Sequence, residues 1–233
     1  LNSIFLTLNI SETQNSDEAK SKESQSIFTD HLYENVFEKS SGGIAIIGMD
    51  GSWLKFNKQV EAITGYSKLL ESGEILNDAI LSVVDFSLPS NQKRFFVIDL
   101  NKGALLYHTF VSHGKNSGKL MAQKFSNRFN SYQSSIGFYT TGETYIGKHG
   151  VSLRLLGKER GINDKALERG IVIHSAAYAD ESVANQQGYL GRSLGCPAIP
   201  EKIHKEVIET IQNGSCFFIY APIPIYPKQS KLV

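Results

Sequence analysis

From Leu81 onward the apolar residues fall in short runs broken by turn residues, and this pattern constrains the fold more than any other feature of the chain. "LSVVDFS", "RFFVIDL" and "ALLYHTFVS" are rich in β-branched and aromatic side chains, and the last two are joined by the turn "NKG" at residues 101–103. "GFYTTGETYIG", "VSLRLLG", "IVIH" and "CFFIYAP" continue the series, with the polar loop "KFSNRFNSYQSS" between. Against these strands stands one clear helix, "PEKIHKEVIETIQNG". It has Pro200 near its start, Ile203, Val207, Ile208 and Ile211 on one face, and Gly214 as its stop. A second, brief helix is predicted in "GINDKALERG" after Asn163, closing at Gly170. The stretch between His174 and Cys196 reads as loop-rich, with no long apolar period. The sum is a mainly β, α+β domain.

The front of the chain differs. Residues 11–26, "SETQNSDEAKSKESQS", carry Ala19 as their one apolar side chain and so cannot offset the entropy of ordering. Residues 1–30 are therefore read as a flexible arm. Its apolar start, "LNSIFLTLNI", is either the remnant of a secretory leader or an ordinary short strand, and the reading leans towards an exported protein. Residues 31–75 form a small mixed α/β section. It has an amphipathic helix in "DHLYENVFEK", a hairpin about Asp50-Gly51 in "GIAIIGMDGSWLKFN", and helical spacing through Val60, Ile63, Tyr66 and Leu70. The catalytic-size section is placed at 76–222, with a C-terminal tail at 223–233.

Charge and cysteine usage exclude several classes of function. The net charge is +1, from 24 basic and 23 acidic residues without long blocks of either sign, which is not the footprint of a nucleic-acid binder. No apolar run reaches the length of a membrane span. Two cysteines allow at most one bridge. Cys216, within "SCFFIY", reads as a small core hydrophobe, which leaves Cys196 in "GRSLGCPAIP" free and in need of explanation.

A nucleophilic cysteine needs a base and amide donors aimed at the developing oxyanion. "SLGC" offers both a sharp turn at Gly195 and the amides of Leu194, Gly195 and Cys196. His174, at the end of an apolar strand, is the candidate base, with a histidine satisfied by a backbone carbonyl as the plainer reading. A zinc site of His113, His149, His174 and Cys196 is the rival. It lacks any H-x-H, H-E-x-x-H or C-x-x-C pair to preorganise two ligands, so no metal and no cofactor are expected. His31, His108 and His204 sit in helix or strand patterns and are read as structural or solvent-facing.

"IVIHS" followed by "GRSLGC" resembles the signature of YkuD-type L,D-transpeptidases, a histidine followed by a Ser/Thr-x-Gly-Cys element. "LSVVDFSLPSNQKRFFVIDL", "FVSHGKNSG" and "SSIGFYTTGETYIGKHGVSLRL" are similar to the murein L,D-transpeptidase catalytic domain over residues 76–222. The resemblance implies a β-sandwich catalytic domain in the periplasm or cell envelope of a bacterium, acting on peptidoglycan stem peptides. It implies Cys196 as nucleophile, His174 as base, the Ser175 carbonyl as orienter of the imidazole, and the turn amides as oxyanion donors. Ser193, Arg192, His113, His149 and Tyr145 are the candidate substrate contacts, although Arg192 reads equally as a solvated surface charge. The implied reaction is acyl transfer from a tetrapeptide stem with release of D-alanine and formation of a 3-3 cross-link. An L,D-carboxypeptidase and a non-catalytic wall-binding or sensory protein are the alternatives. The sequence departs from the commoner pattern at Leu194, where the family has histidine, at Ala198, where it has a polar residue, and in a slightly longer interval from His174 to Cys196. Residues 33–67 resemble the opening of a PAS domain. A full one needs roughly 100 residues, so this stretch is read as a hairpin and helices packed against the catalytic section, with a ligand-sensing module as the alternative.

Overall fold

The predicted apolar runs become strands β4 (Asn77–Asp85), β5 (Phe95–Asp99), β6 (Ala104–Thr109), β7 (Gly137–Gly147), β8 (Gly150–Gly157), β9 (Val172–Ser175) and β11 (Ser215–Tyr220), and a short strand not predicted from the sequence, β10 (Ala198–Ile199), joins them. They form one mixed sheet in the order β10-β9-β8-β7-β11-β4-β5-β6. The computed structural model describes residues 65–233, together with the backbone of β1 (Ile4–Thr7), β2 (Ile44–Ile47) and β3 (Trp53–Phe56). The chain divides into two compact units, Leu1–Ile63 and Thr64–Val233. In the first, β2 pairs parallel with β1 and antiparallel with β3, as the predicted hairpin requires. The turn at Asp50-Gly51, the arm over 11–26, the helix over 30–39 and most of the PAS-like stretch lie outside the described residues.

In the second unit β11 returns to the middle of the sheet, parallel to β4 and antiparallel to β7. Its residues from Ser215 to Ile219 are all buried, and so are all those of β5, which is why both runs read as continuously apolar rather than alternating. Phe95, Phe138 and Phe217 are among the largest side chains fully removed from water, each stabilising the fold by about 1.5–3 kcal/mol. Helix α3 (His204–Ile211) lays Val207, Ile208 and Ile211 on the core. Its last carbonyl accepts a 2.7 Å hydrogen bond from the Thr141 hydroxyl of β7. Helix α1 (Tyr66–Glu71) precedes β4, and α4 (Tyr226–Gln229) ends the unit with Tyr226 buried and donating to Glu159 at 3.0 Å. No helix among the described residues is long and apolar enough to cross a membrane.

The expected sandwich takes the form of one sheet curled towards closure. Beyond β6 the chain crosses to the opposite edge, where the Ser112 amide donates to the Ala198 carbonyl at 2.8 Å and the Lys115 amide to the Ser193 carbonyl at 2.8 Å. A fully buried cation holds this crossing. Arg94 donates through Nε and Nη2 to the Val111 carbonyl, through Nη1 to the Leu88 carbonyl, and through Nη2 to His113 Nδ1 at 2.8 Å, with its guanidinium over the Phe86 ring. The closure matters because it delivers residues 191–197 to the side of β9.

Two local expectations are corrected. Residues 161–170 form successive turns and not a helix, because the Asn163 side chain accepts from the Glu159 amide and donates to the carbonyls of Ile136 and Phe138. The stretch after His174 is not all loop. It holds a 3-10 turn, Ala177–Ala179, and helix α2 (Glu181–Gln187), capped by the Asp180 side chain and ended by Gly188 at φ +81°.

Candidate active site

His174 is the penultimate residue of strand β9, and its ring is buried. Its Nδ1 lies 2.8 Å from the Ser175 carbonyl. A carbonyl can only accept, so Nδ1 carries the proton and Nε2 presents its lone pair. The β7–β8 hairpin reaches the same place. The His149 carbonyl in its turn accepts the Ser175 hydroxyl at 2.9 Å, and the exposed His149 ring stacks on His174 with centroids 4.5 Å apart. Burial pushes His174 below its ordinary value, and the neighbouring His149 adds to that, against the pull of the Ser175 carbonyl.

Cys196 lies two residues before β10, whose Ala198 pairs with His174 in parallel register. Cys196 itself lies in the bend before that strand, and extending the register backwards sets it level with Val172, whose amide acts on the sulfur, two residues before His174 on the neighbouring β9. The Ser193 hydroxyl shapes the turn before it, accepting from the Gly195 amide at 3.0 Å and donating to the Cys196 carbonyl at 2.6 Å. Gly195 stands at φ +133°, and a Cβ there would come within 2.9 Å of the Gln133 carbonyl oxygen, so only glycine fits. The half-buried Cys196 thiol donates to the Gly170 carbonyl at 3.5 Å, not to the imidazole. Burial raises the thiol above its ordinary value, while the Val172 amide and the Arg169 charge act the other way. Cys216 is free and fully buried, and its thiol is pushed up to about 12.

The predicted residues divide on this geometry. His174, Ser175, Ser193, Leu194, Gly195, Cys196 and His149 come together where β9, β10 and the β7–β8 turn meet. The Gly195 amide is a correction, since Ser193 occupies it. The amides of Leu194 and Cys196 have no acceptor among the described residues, and the Leu194 side chain is 60% exposed. His113 is a second correction. It is 0% exposed, its Nδ1 accepts from Arg94 and its Nε2 donates to the Gly118 carbonyl, so it braces the crossing from inside and presents nothing to a substrate. Burial and Arg94 push it down to about 4. Tyr145 stands on β7 opposite Ser152, beneath the Arg154 guanidinium. Arg192 is exposed and reaches the Gly118 carbonyl at 3.4 Å, with its guanidinium over Tyr189. His108 stacks on Phe96 and His204 bonds the Glu201 carbonyl, both structural as read, while His31 lies outside the described residues.

Sequence reasoning missed two neighbours of the thiol. Tyr178, in the 3-10 turn after β9, packs against Ala176, Ala179 and Ala198 and is raised to about 12 by burial and by Cys196. Arg169, just before β9, bonds Ser126, Ser131, Gln133 and Ser135. Its contacts reach 34 to 43 residues along the chain, and no local pattern announces them.

The fold and the site define a mainly β domain that sets a cysteine turn beside a strand-end histidine. A model of the L,D-transpeptidase catalytic domain matches residues 51–220, and the chain belongs to that family. No curated protein matches it. Among solved structures it is similar to an L,D-transpeptidase from Mycobacterium smegmatis, at 16% identity and a TM-score of 0.38, covering 61% of this chain and 59% of that one. An L,D-transpeptidase from Mycobacterium tuberculosis H37Rv matches at 15% identity and a TM-score of 0.40, over 61% of this chain and 58% of that one. The L,D-transpeptidase (residues 123-326) from Xylanimonas cellulosilytica DSM 15894 matches at 14% and 0.35, over 66% and 68%. The chain thus spans less than two thirds of the length of the two mycobacterial structures.

Proposed function

We propose that this domain is an extracytoplasmic peptidoglycan L,D-transpeptidase in which Cys196 is the nucleophile and His174 the general base. The observation that carries this reading is the parallel pairing of Ala198 with His174, combined with an imidazole tied at Nδ1 and open at Nε2. A turn of the thiol about its Cα–Cβ bond takes it from the Gly170 carbonyl towards that lone pair. The sulfur proton passes to Nε2 as sulfur attacks the carbonyl between the third stem residue and its terminal D-alanine. The amides of Leu194 and Cys196 receive the oxyanion. Collapse breaks the C–N bond, the leaving D-alanine amine takes the proton from Nε2, and a thioester remains. An amine of a second stem attacks the thioester, gives its proton to His174 and releases Cys196, leaving a 3-3 cross-link.

Intact-protein mass after incubation with a disaccharide tetrapeptide tests the reading. The parent should gain an acyl adduct and release D-alanine, and Cys196→Ala should do neither. Product masses then separate cross-linking from simple hydrolysis by an L,D-carboxypeptidase. A folded parent that forms no adduct and no product, yet retains muropeptides, would refute the enzyme and leave a wall-binding protein.

A further inference from the structure

Arg169 is half-buried, and its side-chain hydrogen bonds go to neutral acceptors. Nη1 donates to the Ser126 carbonyl at 2.7 Å and the Ser135 hydroxyl at 3.3 Å, and Nη2 to the Gln133 carbonyl at 2.7 Å and the Ser131 hydroxyl at 3.3 Å. No carboxylate lies within ion-pair distance of it among the described residues. A cation partly removed from water without an anion is costly, so its surroundings should contain a group that gains from it. The guanidinium lies under the nucleophile turn, with Nη2 3.5 Å from where a Gly195 Cβ would stand. Two ionisable groups feel its charge, Tyr139 and Cys196. Tyr139 is fully buried and gives its proton to the Ser135 hydroxyl, which leaves Cys196 as the neighbour able to become an anion.

We propose that Arg169 is the resident counter-ion of the Cys196 sulfur, a positioning residue that favours the thiolate through its charge while its hydrogen bonds clamp residues 126–135 beneath the turn. The inference rests on the proposed role of Cys196. The other groups facing the sulfur are Tyr178 from the 3-10 turn, the Val172 amide, and His174 two residues further along β9, with His149 stacked behind it. None of these carries a fixed positive charge. The Arg169 backbone is itself held, its amide bonding the Lys165 carbonyl in the turns that Asn163 anchors to β7. The charge is therefore preorganised and does not have to be recruited by substrate.

The test is the pH profile of iodoacetamide alkylation at Cys196, read by peptide mass on the full chain, for the parent, Arg169→Gln and Arg169→Lys. Arg169→Gln should lower the rate at pH 7 about tenfold and move the midpoint up by about one pH unit. Arg169→Lys, which keeps a cation but loses the planar fork, should keep the parent profile within about twofold while melting at lower temperature. Superimposable profiles for the parent and Arg169→Gln would overturn the proposal, as would a lysine variant that falls as far as the glutamine one. Should Arg169→Gln not fold, the lysine variant decides alone: lost stability with an unchanged profile supports a role for charge, and a profile that rises in step with lost stability refutes it. Alkylation needs no stem peptide, so the result is independent of the acyl-adduct experiment. An adduct with an unmoved midpoint sinks this inference alone, and a moved midpoint with no adduct sinks the enzymatic reading.

Discussion

Replacing Gly195 by alanine gives the sharpest prediction because two separate costs meet there. At φ +133° an L side chain is strained, at about 1–3 kcal/mol. The added Cβ also meets the Gln133 carbonyl oxygen at 2.9 Å and Ile171 Cδ1 at 3.1 Å. The side-chain carbon can yield, but the carbonyl cannot readily move, because Arg169 holds it at 2.7 Å and the Gln133 side chain is tied to the Asn116 carbonyl. Overpacking of this kind adds about 1–3 kcal/mol. The sum is about 2–6 kcal/mol, which in a unit of this size lowers Tm by roughly 4–24 °C. The displaced turn should cost more in chemistry than in stability, since misplacing a reacting group by about 1 Å lowers rate by about a hundredfold. Gly188→Ala is the control. Its φ is +81° with nothing within 4 Å of the added carbon, so it should lose only about 1 kcal/mol as a helix stop and leave Cys196 unaffected. Calorimetry and Cys196 alkylation, both at fixed pH, give the two readouts. A Gly195→Ala protein that melts within 1 °C of the parent and alkylates at the parent rate would refute the packing argument.

Other perturbations give equally definite outcomes. Arg94→Met strips the donors from the Val111 and Leu88 carbonyls and from His113, and should cost about 3–5 kcal/mol in urea denaturation; a loss below 1 kcal/mol would mean the crossing does not depend on that cation. His113 is depressed to about 4 in the folded state from an ordinary 6.5, so its contribution is complete above pH 6.5 and is lost as pH falls towards 4, by up to about 3 kcal/mol. Asp85 and Glu159, raised by burial, run in the opposite direction, so the contribution is read as the difference in stability between the parent and His113→Gln across that window. That difference should shrink as pH falls, and a constant one refutes the assignment. His149→Ala removes both cover and a neighbouring charge from His174, so the imidazole protonates more readily and the acid limb of turnover should move to higher pH; an unmoved limb would refute the coupling.

Most of the sheet was legible because strands announce themselves locally. "RFFVIDL" and "CFFIYAP" carry the residues that a strand covered on both faces needs, and the α3 spacing from Ile203 to Ile211 marks its buried stripe. Helix α2 was also written in the sequence, as Asp180 before Glu181 with Gly188 as stop, but its few apolar residues hid it behind the expectation of a loop. Asn163 misled in the other direction. It has the chemistry of a helix cap and spends it on the edge of β7, a partner no local window contains. The site shows the same division. The turn at Gly195 and Cys196 follows from the chain's own local chemistry, Ser175 follows only from the family resemblance, and Ser193 capturing the Gly195 amide two residues on is a local motif that could have been read. Arg94, Arg169 and the interior position of His113 depend on how the sheet closes, which a linear pattern does not encode.

Burial shifts the proposed nucleophile and the proposed base in opposite directions with one consequence. It raises Cys196 and lowers His174, so both favour the sulfur keeping its proton and the ring staying neutral. The thiol hydrogen bond to the Gly170 carbonyl requires that proton and fits the same state. Under the proposed mechanism, charge separation then belongs to the complex with substrate and is not already present at rest. The groups that lessen its cost, the Val172 amide and Arg169, belong to the frame of β9 and the turns before it, so they are in place before the stem peptide arrives. A site built this way keeps its thiol protected from adventitious alkylation and oxidation until an acyl donor seats the carbonyl beside it. The same mechanism would make the turn at Gly195 sensitive to change, since that turn sets where the Cys196 sulfur starts, on the Gly170 carbonyl.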